Sequence, residues 1–296
     1  MAYPSVSNTS INSELFAPLV TQAQYAAYEG SVARQLVTVF DAPMNTGKVL
    51  QVPVWASIAA QDIADEAAAT VKTTNTTSVN LTLSELVVYH QVTDMLRDSA
   101  YNDVMAQLGD QSGRAIAEGI DSQVFNSFTD FSTDLGTAGS ELTPALILKA
   151  AATLRSRKLT GPFYAVIRPE QAFAMKDAMT KVIAYSGATP SGTAFANNAG
   201  QALNSVGESI LQNFYIGTLA GVQIFESALI TVDGSDDAYA GVFASNAIGH
   251  AMRGGIDMNT LYLPAARATD VVLKAVAGAK VLQATFGVKI LADCVI

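Results

Sequence analysis

Histidine is the side chain best suited to act as a general base or metal ligand at neutral pH. This 296-residue chain has two, His90 and His250. His90 follows Tyr89 near the end of an apolar run, and His250 sits in GHAMRGG. Neither lies in a nucleophile motif, and no G-x-S-x-G elbow occurs. A hydrolase with an unrecognised His-based site is the enzymatic alternative, and a structural role for both rings is the plainer reading. Gly47-Lys48 has the ending of a phosphate-binding loop. Ala42, however, stands where that loop needs its first glycine, and Val49 replaces the magnesium-binding Ser or Thr. GTLAG, residues 217–221, lacks the third glycine and the βαβ frame of a dinucleotide site. Asp233, Asp236 and Asp237 lack the spacing of a calcium loop and read as a solvated turn. The single cysteine, Cys294, can form neither an internal disulfide nor a Cys-based zinc site. The expectation is a chain with no catalytic residues, no cofactor and no metal.

The totals point to a surface made for other proteins. Charged residues are 15% of the chain and hydrophobic ones 50%, against roughly 25% charged in an ordinary soluble domain. So few charges leave an apolar, patchy surface unless other subunits cover it. The net charge of −9 argues against a nucleic-acid-binding footprint. No run reaches the roughly 18 apolar residues of a membrane span. The opening MAYPSVSNTSINSE lacks the basic and apolar regions of a secretion signal. With one cysteine, the chain reads as folding in a reducing cytoplasm.

Several elements can be read from periodicity. Residues 94–128 place Tyr101, Val104, Met105, Leu108, Ala115, Ile116, Ile120, Val124 and Phe128 at helical spacing. With Asp98 or Ser99 as N-cap, this predicts one amphipathic rod of about 30 residues, roughly 45 Å long. Its polar face carries Asp103, Asp110, Glu118 and Asp121. Residues 47–55 and 77–92 alternate around Val52, Val54, Leu81 and Leu83, which predicts a long hairpin with Pro53 at an edge. Its tip carries Asp62, Asp65 and Glu66, which are either solvated or set against a basic patch on a neighbour. An extended arm precedes the hairpin, and Pro18 opens a short helix that runs to Ala33. Thr143-Pro144 opens a later helix. FYAVIRP is a buried strand, EQAFAMKDAM a helix, and residues 184–209 a Gly/Ser/Asn-rich loop. Helices and strands mix without regular alternation, an α+β pattern.

The order of these elements resembles the major capsid proteins of tailed bacteriophages, the HK97-like fold. VTDMLRDSAYNDVMAQLGDQSGRAIAEGIDSQVF is similar to the family's spine helix, and LTPALILKAAATLRSRKLTGPFYAVIRPEQ to the opening of its axial domain. NFYIGTLAGVQIFES is similar to its glycine turn into a strand, and ATFGVKILADCVI to its closing strand. The resemblance spans nearly the whole chain.

The resemblance implies an N-terminal arm at 1–40, an extended loop at 41–90, a peripheral domain at 91–143 and 256–296, and an axial domain at 144–255. It implies a structural protein that assembles into hexamers and pentamers of an icosahedral phage head around double-stranded DNA, with no sequence-specific DNA contact. Expected partners are further copies of the chain, a separate scaffolding protein, a portal and possible decoration proteins, but no membrane. The expected location is the virion, after assembly in the host cytoplasm. Val52, Val54, Asp62, Asp65, Glu66, Leu81 and Leu83 are the expected contacts with neighbouring subunits. Asp103, Asp110, Glu118 and Asp121 are the expected lumen-facing carboxylates. An encapsulin-like compartment is the alternative of the same fold.

Overall fold

The computed structural model describes residues 23, 31–45, 47–55, 58, 60–63, 65, 68–73, 76–99, 104–159, 161–185 and 217–295. The expectations for the arm at 1–14, for most of the helix from Pro18, and for the 186–209 part of the glycine-rich loop fall outside these residues.

Two long strands near the C-terminus organise the first sheet. Strands β10 (Ile248–Leu263) and β11 (Ala268–Val281) pair antiparallel, with a register slip between Arg253 and Asp257 at the Gly254-Gly255 step. Strand β4 (Ser84–Thr93) adds antiparallel to β11, and β1 (Thr38–Asp41) adds parallel to β10. Along β10, Ile248, His250 and Met252 turn to one face and Ala251 to the other, as strand pleating requires. Helix α3 (Val104–Asn126) covers the first face. Its Ile116 and Ile120 are buried with Met252, Ile256, Val271 and Leu273.

The helix differs from the single rod expected. Helix α2 (Asp94–Ser99) comes first, and Asp98 and Ser99 lie inside it rather than capping α3. The cap is taken earlier: the Thr93 hydroxyl accepts the Leu96 amide at 3.3 Å, and Asp94 suits the positive N-terminal end. The 23 residues of α3 span about 35 Å. Ile116, Ile120, Val124 and the following Phe128 are buried as the spacing predicts. Ala115 is exposed, because it sits about 100° round the helix from Ile116.

The second sheet has six strands in the order β5 (Thr133–Gly136), β12 (Gly287–Asp293), β9 (Asp237–Ala244), β6 (Phe163–Ile167), β8 (Val222–Glu226), β7 (Thr218–Leu219). Helices α4 (Pro144–Ser156) and α5 (Pro169–Tyr185) contribute Ile147, Ala150, Leu154, Ala172 and Met175 to its core. Pro144 opens α4 as expected, although the Thr143 hydroxyl makes no capping bond. Pro169 opens α5 rather than only ending β6. The returning segment 256–296 does not stay in one unit. Strands β10 and β11 build the four-stranded sheet, while β12 pairs with β9 and β5 in the six-stranded one. Strand partners are chosen across long sequence separations, so local periodicity carried no sign of this split.

An aromatic cluster joins the end of α3 to the second sheet. Phe128 lies 5.6 Å from Phe125, 6.0 Å from Phe131 and 5.4 Å from Phe243, ring centre to ring centre. Two glycines make room for it. A Cβ on Gly241 would stand 2.8 Å from the Phe128 ring, and one on Gly287 would stand 2.1 Å from Phe131. Gly241→Ala and Gly287→Ala are each expected to cost about 1–3 kcal/mol through overpacking, with Gly287→Ala the worse. Chemical denaturation of the purified chain measures both.

Candidate assembly interface

The hairpin divides into a buried root and an exposed far end. Strands β2 (Val49–Trp55) and β3 (Thr76–Thr82) pair antiparallel, with Val52 opposite Val79 and Trp55 opposite Thr76. The apolar run 77–92 is thus two strands. At Leu83 the chain leaves the hairpin, where its amide donates to the Lys48 carbonyl at 2.8 Å, and continues as β4 in the first sheet. Val52, Leu81 and Leu83 are buried with Ala42 and Ala251, on the sheet face opposite α3. These three expected neighbour contacts are therefore satisfied within the chain, because the hairpin root needs a surface to lie on. Val54 is half-buried. Toward the far end the apolar side chains find no cover: Trp55 is 66% exposed, Ile58 58% and Val71 90%. Asp62 and Asp65 are exposed beside them, while Glu66 lies outside the described residues.

The carboxylates of the long helix do not act as a set. Glu118 is exposed. Asp110 accepts a hydrogen bond from Arg114, one turn on, at 2.9 Å. Asp103 lies outside the described residues. Asp121 is only 3% exposed and cannot face a lumen. It accepts the Ser31 hydroxyl at 2.6 Å and the amides of Val32 and Ala33 at 3.0 and 3.3 Å. In this way it ties the chain before β1 to α3 and takes up the free amides at the start of the short helix α1 (Ala33–Leu36). Burial raises its pKa, and the three donors oppose that rise. Asp121→Ala strands three donors and is expected to lose about 1–3 kcal/mol. Asp121→Asn, which keeps one acceptor oxygen, should lose less in thermal melts.

The histidines are not poised for catalysis. His90 Nε2 is 2.9 Å from Ser112 Oγ, the spacing of a base and its nucleophile. Ser112, however, is fully buried, and its hydroxyl donates to the Leu108 carbonyl at 2.6 Å. The imidazole must then donate to the serine oxygen, the reverse of base catalysis. His250 is 0% exposed, and among the described residues neither ring nitrogen has a hydrogen-bond partner. Burial, with a smaller contribution from the Arg34 charge, lowers its pKa to about 4. A depressed pKa means that the neutral ring stabilises the fold above about pH 6.5 and that this contribution is lost as pH falls toward 4. Stability should drop by about 2 kcal/mol between pH 7 and 5 from this group. In His250→Leu, urea unfolding at the two pH values should lack that part of the drop. Among the described residues, no group of three or more His, Cys, Asp or Glu side chains could hold a metal.

Two regions singled out for nucleotide or cation binding have structural roles. Ala220 and Gly221, with φ of 53° and 78°, form the turn between β7 and β8. Asp233 Oδ1 accepts the amides of Ser235 and Asp237 within its own turn, and Asp237 accepts the Gly139 amide.

No family model matches the chain, and no curated protein matches it. Solved structures do match, over almost its full length. A structure from Mycobacterium phage Che8 is 19% identical, with a TM-score of 0.63, 93% of this chain and 90% of that one being covered. The capsid structure of cyanophage P-SCSP1u is 16% identical, with a TM-score of 0.64 and coverages of 88% and 87%. The holo-SrpI encapsulin complex from Synechococcus elongatus is 12% identical, with a TM-score of 0.59 and coverages of 88% and 86%. The chain has the HK97-like capsid fold. At these identities the likeness is one of fold. No described helix is long and apolar enough to cross a membrane.

Proposed function

We propose that this chain is a major capsid protein, assembling into hexamers and pentamers of an icosahedral phage head that encloses double-stranded DNA. The observation that carries the reading is the likeness of fold over nearly the whole chain, 93% of which matches the Che8 structure. The exposed Trp55, Ile58 and Val71 support it, because a lone subunit leaves them in water. In this reading α3 is the spine helix of the peripheral domain, and the six-stranded sheet with α4 and α5 forms most of the axial domain. The hairpin is the extended loop that lies across a neighbouring subunit through its far end. The lumen-facing surface holds Glu118 and the Asp110–Arg114 pair, where carboxylates repel DNA phosphates. A separate scaffolding protein, a portal and decoration proteins complete the assembly, which takes place in the host cytoplasm and ends in the virion.

The likeness to the SrpI encapsulin complex supports a second reading, a protein compartment of the same fold. Electron microscopy of the purified chain, expressed with its neighbouring genes, tests both. Closed shells holding nuclease-protected double-stranded DNA are the expected result, whereas shells holding a co-purified protein cargo identify a compartment. A stable monomer under every salt and scaffold condition overturns both. Deleting residues 58–72 should leave the two sheets folded by circular dichroism and abolish closed shells.

A further inference from the structure

The loop between β2 and β3 carries a built tip. The Gln61 side-chain amide grips Thr70: its Nε2 donates to the Thr70 carbonyl at 3.1 Å, and its Oε1 accepts the Thr70 amide at 3.2 Å. The Thr70 hydroxyl also lies 3.3 Å from that Oε1. This clip closes the chain between the two residues and holds out Asp62, Ile63 and Asp65, all exposed. Among its described residues the tip therefore offers Ile63 between the carboxylates of Asp62 and Asp65.

A hollow of opposite character lies at the end of α4. It has a volume of about 520 Å³ and is lined by Arg155, Lys158, Leu159, Gly161, Phe163 and Gly221. Lys158 follows the helix in left-handed conformation (φ 61°), its amide donating to the Arg155 carbonyl at 2.9 Å. The Arg155 guanidinium donates to the Ala220 carbonyl of the β7–β8 turn. Gly221 leaves space for it: a Cβ there would come within 3.0 Å of the guanidinium. Among the described residues no carboxylate lines the hollow, and none pairs with Arg155 or Lys158. Arg157 is committed elsewhere, to Thr285 and Thr133.

We propose that the Asp62–Ile63–Asp65 tip of one copy docks into the Arg155–Lys158 hollow of a second copy. Copies of net charge −9 repel one another at long range. An unpaired cationic hollow is then a place where an acidic partner is drawn in, and the match of opposite charges sets the register of contact. Asp62 and Asp65 meet the two cations, and Ile63 covers Leu159. The hollow lies within the size range of binding sites, roughly 300–1,000 Å³. The inference rests on the shell reading in placing a second copy alongside, and it adds the residues that hold the loop.

Charge reversal in the full chain tests it. Lys158 is exposed and its side chain bonds to no described residue, so Lys158→Glu should keep the wild-type melting temperature yet lower shell yield at least about tenfold at 0.1 M salt, where the screening length is about 10 Å. Asp62→Lys with Asp65→Lys should do the same, and all three changes together should recover yield to within about threefold of wild type. A second measurement does not need shells. Ile63→Cys with Leu159→Cys, in a Cys294→Ser background, should give disulfide-linked dimers and higher ladders on non-reducing gels of concentrated subunit. Wild-type yield from Lys158→Glu, or a triple variant no better than the worse parent, overturns the contact while the shell reading survives. If the wild type forms no shells, the ladder decides: its presence upholds the contact without the shell, and its absence overturns it.

Discussion

Phe128 and Phe131 seated on Gly241 and Gly287 form the joint through which the two halves of this fold are made one body. Helix α3 packs along the four-stranded sheet for most of its length, then ends in these aromatic rings on the six-stranded sheet. These rings come so close to β9 and β12 that a Cβ at either position would collide with them. The glycines on β9 and β12 are thus the condition for the helix to meet both sheets. Large apolar rings in close contact resist shear, because any displacement opens a void at a cost set by lost packing.

Polar groups secure the same helix from the other side. Asp121 is spent on Ser31, Val32 and Ala33, so that a carboxylate on the helix serves as an internal latch for the incoming chain. His250, which feels the Arg34 charge, is buried with no hydrogen bond among the described residues. A neutral ring is tolerated there, whereas a charged one is not, which leaves the fold sensitive to acid on this side.

The hairpin works by contrast between its ends. Val52, Leu81 and Leu83 bury its root within the chain, and this anchors the loop whether or not a partner is present. Beyond that anchor, Trp55, Ile58, Ile63 and Val71 are left in water. The loop is therefore held at one end and exposed at the other.

Much of this was legible in the residues. The α+β mixture, the amphipathic stripe through Ile116, Ile120 and Val124, the Pro144 helix start, the buried strand Phe163–Ile167 and the paired strands around Val52 all follow from local periodicity and turn chemistry. What local pattern left open was decided by contacts between residues far apart in the chain. The helical spacing that places Asp121 on α3 does not reveal that Ser31 will arrive to bury it, 90 residues away in sequence. Nor does the alternation of 77–92 reveal the change of sheet at Leu83, since both strands keep a period of two. The sequence by itself determined which residues are apolar, where helices and strands begin, and that no catalytic motif is present. Only the tertiary structure decided which strands pair, which carboxylate is buried and which apolar residues stay exposed. Pairing and burial depend on which surfaces meet, and no local pattern encodes its distant partner.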